Sequence, residues 1–347
     1  MTPRFWRPGA VAFALMLVLA ACGQSGESSA PASTAASASE SEAAPESAAP
    51  SADEPAGEPE ITDLTVGTLP IVDVAPVHIA IAEGLFEDEG LTVTPEVMQG
   101  GAAAIPALVS GDLDIAFGAW PSLLLANQQG IELRAIADGV AADEGFTQFL
   151  AMPDSGLEGN PAGLEGKTIA VNTLNNLGEL AVRWTLEAAG VDFESVQLVE
   201  IPFPDMGAAL ERGDVDAIWA VEPGVTGAKT NLGAVTVVDS YVDEMEGFPV
   251  AGYQVTAEFA EQNPNTVAAF TRAIEAAAQT ANDDDQAVVD IVQTYTTLPA
   301  ELASQLSFPE FRGVIEEATL QRVYDAMLTF GFAEEGLDIG AIVLSDG

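Results

Sequence analysis

Residues 107–121 read ALVSGDLDIAFGAWP, and residues 209–223 read ALERGDVDAIWAVEP. Six of the fifteen aligned positions are identical, and several others exchange one apolar residue for another. A phrase that recurs a hundred residues later marks a repeated structural unit before it marks chemistry. In each copy Ala-Leu closes a helix, and a glycine (Gly111, Gly213) permits the left-handed turn at its end. Asp-x-Asp then leads into a short buried strand, 115–118 or 217–220, which runs out into Ala119-Trp120-Pro121 or Val221-Glu222-Pro223. Ligands of open α/β sheets sit beyond the carboxyl ends of strands. The repeat therefore predicts two lobes, each offering one loop to a shared cleft.

The chain around the repeat keeps the same rhythm. Residues 64–69 form a β-type run ending in a Pro- and Asp-containing loop, and 77–86 has helical spacing with a stop at Gly84. Residues 91–98 are the next strand, and Gln99-Gly100-Gly101 opens an Ala-rich helix that reaches Gly111. Strand, loop and helix in alternation predict an α/β fold with parallel strands. The second lobe repeats the pattern with the strand 168–171, the loop 172–178, the helix 179–189 and the strand 196–201. Two extended segments, 146–153 and 248–256, read as crossings between lobes and together predict a two-segment hinge. The expected domains are 61–148 with 254–347 for the first lobe and 149–253 for the second. After the return crossing the chain reads as mostly helical.

The start of the chain has a separate logic. Arg4 and Arg7 precede the apolar run 11–21, which is too short to span a membrane and ends in Leu19-Ala20-Ala21-Cys22. Residues 1–21 thus read as a secretory signal, and the cysteine at the cut site resembles a bacterial lipobox. That resemblance implies cleavage before Cys22 and a lipid on its sulfur. Cys22 is the only cysteine, so disulfides are excluded. Residues 22–60 are Ser, Ala, Pro and Glu with almost nothing large and apolar, and read as a disordered tether. The full chain carries 10 Lys and Arg against 54 acids, a net charge of -44. Nucleic-acid binding is excluded, because nothing basic is available to meet phosphates.

Four stretches carry a family resemblance: GLFEDEGL (84–91), GGAAAIPALVSGDLDIAFGAWPSLLLA (100–126), LEGKTIAVN (164–172) and GAALERGDVDAIWAVEP (207–223). In this order and spacing the chain resembles the solute-binding proteins of nitrate, sulfonate, taurine and pyrimidine-precursor ABC importers, from Thr62 to about Phe332. The resemblance implies a type II periplasmic-binding-protein fold of two α/β lobes that close on a small-molecule solute. It further implies a monomer without cofactor, delivering that solute to a permease with its ATPase. With the lipid anchor, the expected location is the outer face of a bacterial cytoplasmic membrane.

The same resemblance implies which loops meet the solute: Asp73 after the first strand, Gln99, Gly100 and Gly101 at the Ala-rich helix, and Trp120 and Ser122 from the first repeat copy. The second lobe adds Asn172, Thr173, Asn175 and Asn176 at a helix start, Phe203 between two prolines, and Trp219 and Glu222 from the second copy. These loops hold no lysine or arginine but do hold Asp73 and Glu222. Like charge excludes and opposite charge attracts. A neutral or cationic nitrogen heterocycle or amine is therefore expected, stacked on the aromatic rings with Glu222 accepting from an amine. The alternative is a sulfonate- or nitrate-type anion held by helix N-termini with Lys167, Arg183 or Lys229.

Several of these residues also have plainer roles. Trp219 lies in an apolar run and suits core packing as well as a ligand, and 172–176 suits a loop with an N-cap. Asp112, Asp114, Asp214 and Asp216 recur beside helix-ending glycines and read as partners of turn amides. His78, the only histidine, does not fall where a thiamine-pyrimidine synthase of this broad family keeps the histidine it consumes, and it reads as a buried or capping residue. No Ser-His or Cys-His pair, phosphate-binding loop, zinc cluster or EF-hand spacing is present, so no catalysis is expected. Enzyme and tethered-sensor functions on the same fold are the alternatives.

Overall fold

The computed structural model describes residues 57–241 and 245–344. The signal segment, Cys22 and residues 23–56 of the expected tether lie outside the described residues. The described residues all belong to one compact unit, Pro55–Gly347. The tether expectation ended at Glu60, but this residue is already part of the fold. Its carboxylate accepts from the backbone N–H of Asn265 (3.1 Å) and of Thr266 (2.9 Å) at the start of the helix Pro264–Asp283. A carboxylate at those free amides suits both the hydrogen bonding and the helix dipole.

Eleven strands are described: β1 Asp63–Thr68, β2 Thr92–Val97, β3 Ile115–Ala119, β4 Leu133–Ala141, β5 Thr147–Ala151, β6 Thr168–Val171, β7 Gln197–Glu200, β8 Ala217–Val221, β9 Val235–Asp239, β10 Pro249–Thr256 and β11 Glu310–Phe311. One sheet has the order β11-β4-β10-β3-β1-β2 and the other β7-β6-β8-β5-β9. The molecule thus has the type II periplasmic-binding-protein architecture, two α/β lobes joined by two segments. Each sheet contains a parallel trio, β2-β1-β3 or β7-β6-β8. Beside each trio lies one antiparallel strand, β10 or β5.

Those two antiparallel strands correct the expected crossings and the lobe boundaries drawn from them. Residues 146–153 and 248–256 were expected to pass between lobes, yet β5 lies wholly in the second sheet and β10 in the first, hydrogen bonded on both sides. The chain changes sheet just before each strand, between the end of β4 at Ala141 and Thr147, and between the end of β9 at Asp239 and Pro249. Apolar extended residues that looked like linkers are central strands, and their near-complete burial explains the composition.

The repeat folds as the same device twice. The helices Gly101–Ser110 and Phe203–Arg212 end on Gly111 (φ 77°) and Gly213 (φ 71°), whose N–H groups reach Ala107 and Leu108, or Ala209 and Leu210. The second aspartate of each copy then bridges to the neighbouring parallel strand. Asp114 Oδ2 accepts from Thr65 N (2.7 Å) within β1, and Asp216 Oδ2 from Thr168 N (2.9 Å) at the start of β6. The aspartates were expected to satisfy turn amides; instead Asp114 and Asp216 satisfy amides of the neighbouring strand, while Asp112 accepts from Ser110 Oγ (2.8 Å) and Asp214 from Arg212 Nε (2.8 Å). Among the described residues no cluster of His, Cys, Asp and Glu could hold a metal, and no helix is long and apolar enough to cross a membrane.

Candidate functional site

The carboxyl ends of β1, β3, β6 and β8 converge, and between them lies a cavity of about 40 Å³. The first lobe contributes Leu69, Ile71 and Asp73 beyond β1, Gly101, and the end of β3, including Phe117. The second contributes Asn172, Asn176, Phe203 and Trp219. Close backbone approach makes this wall possible. A Cβ on Gly118 would lie 2.9 Å from Gly101 Cα, so the helix Gly101–Ser110 starts directly on β3 only because both residues are glycine. The lobes are shut on one another. Val72 N donates to Glu222 O (3.0 Å), and a Cβ on Gly100 would lie 2.8 Å from Asn172 Nδ2 across the cleft.

Asp73 is the one carboxylate lining the cavity. It is 2% exposed, its Oδ1 has no partner among the described residues, and burial raises its pKa to about 7. Three tyrosines surround it electrostatically. Burial first, and then the charge of Asp73, push the hydroxyls of Tyr241, Tyr253 and Tyr295 upward. Three further polar atoms of the lining are buried without partners: Thr147 Oγ1, Asn172 Oδ1 and Trp219 Nε1. Buried polar groups are nearly always paired, and exceptions cluster where a ligand or water completes them. The residues that carry these four atoms, a carboxyl, an amide oxygen, a hydroxyl and an indole N–H, thus line one small space from both lobes. No lysine, arginine or histidine lines it.

Of the expected site residues, six line this cavity: Asp73, Gly101, Asn172, Asn176, Phe203 and Trp219. Asn176 is the N-cap of the helix Leu177–Ala188, its Oδ1 accepting from Leu177 N (2.8 Å) while its Nδ2 donates to Thr173 Oγ1 (2.9 Å). Gly100 and Thr173 sit just outside, at the contact between lobes. Ser122 Oγ donates to Ala119 O (2.8 Å), and Asn175, in the left-handed region at φ 53°, donates its N–H to Glu179 Oε2 (3.0 Å). Gln99 is exposed.

Trp120 and Glu222 stand at the same position of the two repeat copies, and neither lines the cavity. Trp120 is fully buried in the first lobe, beside Asp138. Glu222 is 1% exposed, with Oε2 accepting from Thr226 N (2.9 Å) and Oε1 from Thr226 Oγ1 (2.7 Å) and Ser307 N (3.3 Å). Burial raises its pKa against those bonds. Lys167 pairs with Asp216 (3.2 Å) and Arg183 with Glu179 (2.8 Å), so both of these basic side chains are engaged away from the cavity. His78 lies stacked on Tyr295, ring centroids 3.9 Å apart, and burial lowers its pKa to about 4.

Ten of the sixteen cavity residues escaped sequence reasoning, Phe117, Thr147 and Ala251 among them. For Phe117 a signal existed, since the repeat aligns it with Trp219. Thr147 begins β5 and Ala251 is the third residue of β10, the strands that read as crossings, and nothing in their local sequence separates the two possibilities.

An NMT1/THI5-like family model matches residues 71–287, more than half of the chain. A formylaminopyrimidine-binding protein of Halalkalibacterium halodurans is 29% identical over 41% of this chain and 41% of its own length. The taurine-binding periplasmic protein of Escherichia coli is 29% identical over 57% of this chain and 60% of its own. The match thus spans about two fifths to three fifths of these curated relatives. A 4-amino-5-hydroxymethyl-2-methylpyrimidine phosphate synthase of Aspergillus parasiticus is 27% identical over 41% of this chain and 40% of its own. In fold, the chain is similar to the alkanesulfonate-binding protein SsuA of Xanthomonas axonopodis pv. citri bound to MOPS, with a TM-score of 0.70 and 17% identity over 84% of this chain and 99% of that one.

Proposed function

We propose that this chain, which belongs to the NMT1/THI5-like family, is the solute-receiving component of an ABC importer, held outside the cytoplasmic membrane by lipid on Cys22 and working as a monomer. It captures a small molecule between its lobes and presents the closed form to a permease. The observation that carries this reading is the set of unpartnered buried atoms at the closed cleft, Asp73 Oδ1, Thr147 Oγ1, Asn172 Oδ1 and Trp219 Nε1, drawn from both lobes. A ligand that completes them holds the lobes together, and its affinity is the gain from that pairing less the cost of closure. Capture rather than turnover is favoured because Asp73 is the only acid or base in the lining and the one hydroxyl there, Thr147 Oγ1, has no hydrogen-bonded base to activate it.

The solute is read as a neutral or cationic nitrogen heterocycle or amine, for which Asp73 accepts a hydrogen bond and Phe203, Phe117 and Trp219 supply aromatic faces. This moves the accepting carboxylate from Glu222 to Asp73. A second reading, an oxyanion, draws on the start of the helix Gly101–Ser110 at the cavity.

The test is thermal unfolding of the chain with pyrimidines, other heterocycles, polyamines, taurine, alkanesulfonates and nitrate, at pH 6 and pH 8. Ligand at a hundred times its Kd adds about 2.7 kcal/mol. With the Asp73 pKa raised to about 7, a cationic solute binds more tightly at pH 8, where the carboxylate is ionised. An anion does the reverse, binding more tightly at pH 6. A midpoint shift by sulfonate or nitrate alone, larger at pH 6, replaces the first reading with the second.

A further inference from the structure

The cavity is smaller than any solute its walls are suited to. About 40 Å³ holds on the order of one to three water molecules, whereas sites for organic ligands run from roughly 300 Å³ upward. Directly beside it a groove of about 330 Å³ opens between the lobes. The two spaces share the walls Ile71, Phe203 and Val221. The groove is lined from the second lobe by Ala208, Glu211, Asn231 and Leu232, and from the first by Thr297 and Leu298.

Phe203 is placed to act as a movable partition. It is the first residue of its helix, between Pro202 and Pro204, so the backbone is restrained on both sides and rotation about the side-chain torsions is its main freedom. Its ring is half-buried and leans on Trp219, centroids 5.9 Å apart and planes 42° off parallel, a contact that one rotation releases. We infer that Phe203 swings to join the cavity to the groove, and that the solute is an elongated molecule. Its nitrogen-bearing head sits at Asp73, and an uncharged, largely apolar tail lies in the groove. Asp73 and Glu211 are the only charged residues of the two linings, so a negative charge is disfavoured at either end. Phe203 is thereby the residue that sets the length of solute accepted. This inference rests on the reading of the Asp73 cavity as the solute site.

The experiment compares two probe series at pH 8, primary n-alkylamines and 4-aminopyrimidines carrying a 5-alkyl chain, each from one to six carbons, by calorimetry on the full chain. Affinity in at least one series is expected to rise about fourfold per methylene as the chain enters the groove. Ala208→Trp fills the groove from an exposed helix position and should abolish that rise while the shortest members bind as in the unmodified protein. Asn231→Trp, also exposed and on the next helix, is a second variant with the same expected result. Short members that bind with no gain from length overturn the partition and leave the Asp73 site standing. A rise that persists in both variants sends the tail elsewhere and also overturns it. No binding by any member of either series overturns the Asp73 reading and this inference with it.

Discussion

The two copies of the repeated phrase agree from the helix end to the strand start and part along the strand and beyond it. Gly111 and Gly213 turn out of their helices with the same geometry, and Asp114 and Asp216 bridge to their neighbouring strands with the same bond. One strand later Phe117 and Trp219, aligned in sequence, face the same cavity from opposite lobes. Three positions further on, Trp120 is sealed into a core while Glu222 ties the helix Gly224–Leu232 to Ser307. The conserved pattern between copies is therefore scaffold. Their divergence assigns one aromatic pair to the solute and one pair of buried residues to holding each lobe in shape.

The largest expected difference lies between the two tryptophans. Trp120→Ala empties a fully buried indole site and should cost about 5 kcal/mol, the upper end for such truncations, read from chemical denaturation. The milder pair Trp120→Phe and Trp219→Phe keeps an aromatic ring at both sites. Only Trp219→Phe should weaken the solute identified by the panel, by roughly tenfold, since the lost N–H is one of the unpartnered cavity atoms. Equal losses from both would return Trp120 to the site.

Asp73 supplies the next effect, and it depends on pH. Its folded-state pKa of about 7 lies above the usual 3.8, so the folded chain binds this proton more tightly than the unfolded one. Stability from Asp73 is then full below pH 4 and falls as pH rises toward 7, by about 4 kcal/mol over the window. Asp138, also raised to about 7 by burial, slopes the same way. Asp73→Asn should remove the first slope and leave the second, so the apo variant gains on the unmodified protein at pH 8 while losing solute affinity. An unchanged pH profile would remove Asp73 from the set of strained buried groups.

Much of this arrangement was legible in advance because it is local. Gly84, Gly111 and Gly213 ended the helices that their spacing announced, and 168–171 is the strand it read as. What was not legible depends on partners far along the chain. Whether 248–256 crosses between lobes or pairs within a sheet is decided by β3 and β4, more than a hundred residues upstream. Glu222 looked like a free acceptor because Ser307, 85 residues away, gives no sign in sequence of claiming its carboxylate. Charge counting thus found an acid near the cleft and assigned the acceptor role to Glu222, whereas the acid left unpartnered at the cavity is Asp73.

The smallest effect tests the repeat itself. Asp114→Ala and Asp216→Ala each remove a charged acceptor from a backbone N–H of the neighbouring strand, a loss of about 2 kcal/mol. Asp216 also pairs with Lys167 at 3.2 Å, but both side chains are more than a third exposed and such pairs add little. The two substitutions should therefore cost nearly the same, and Lys167→Ala almost nothing. If Asp216→Ala costs clearly more than Asp114→Ala and Lys167→Ala accounts for the excess, the ion pair matters and the copies are not energetically equivalent. If all three follow the expected pattern, the carboxylate-to-strand bond is the stabilising element that both lobes share.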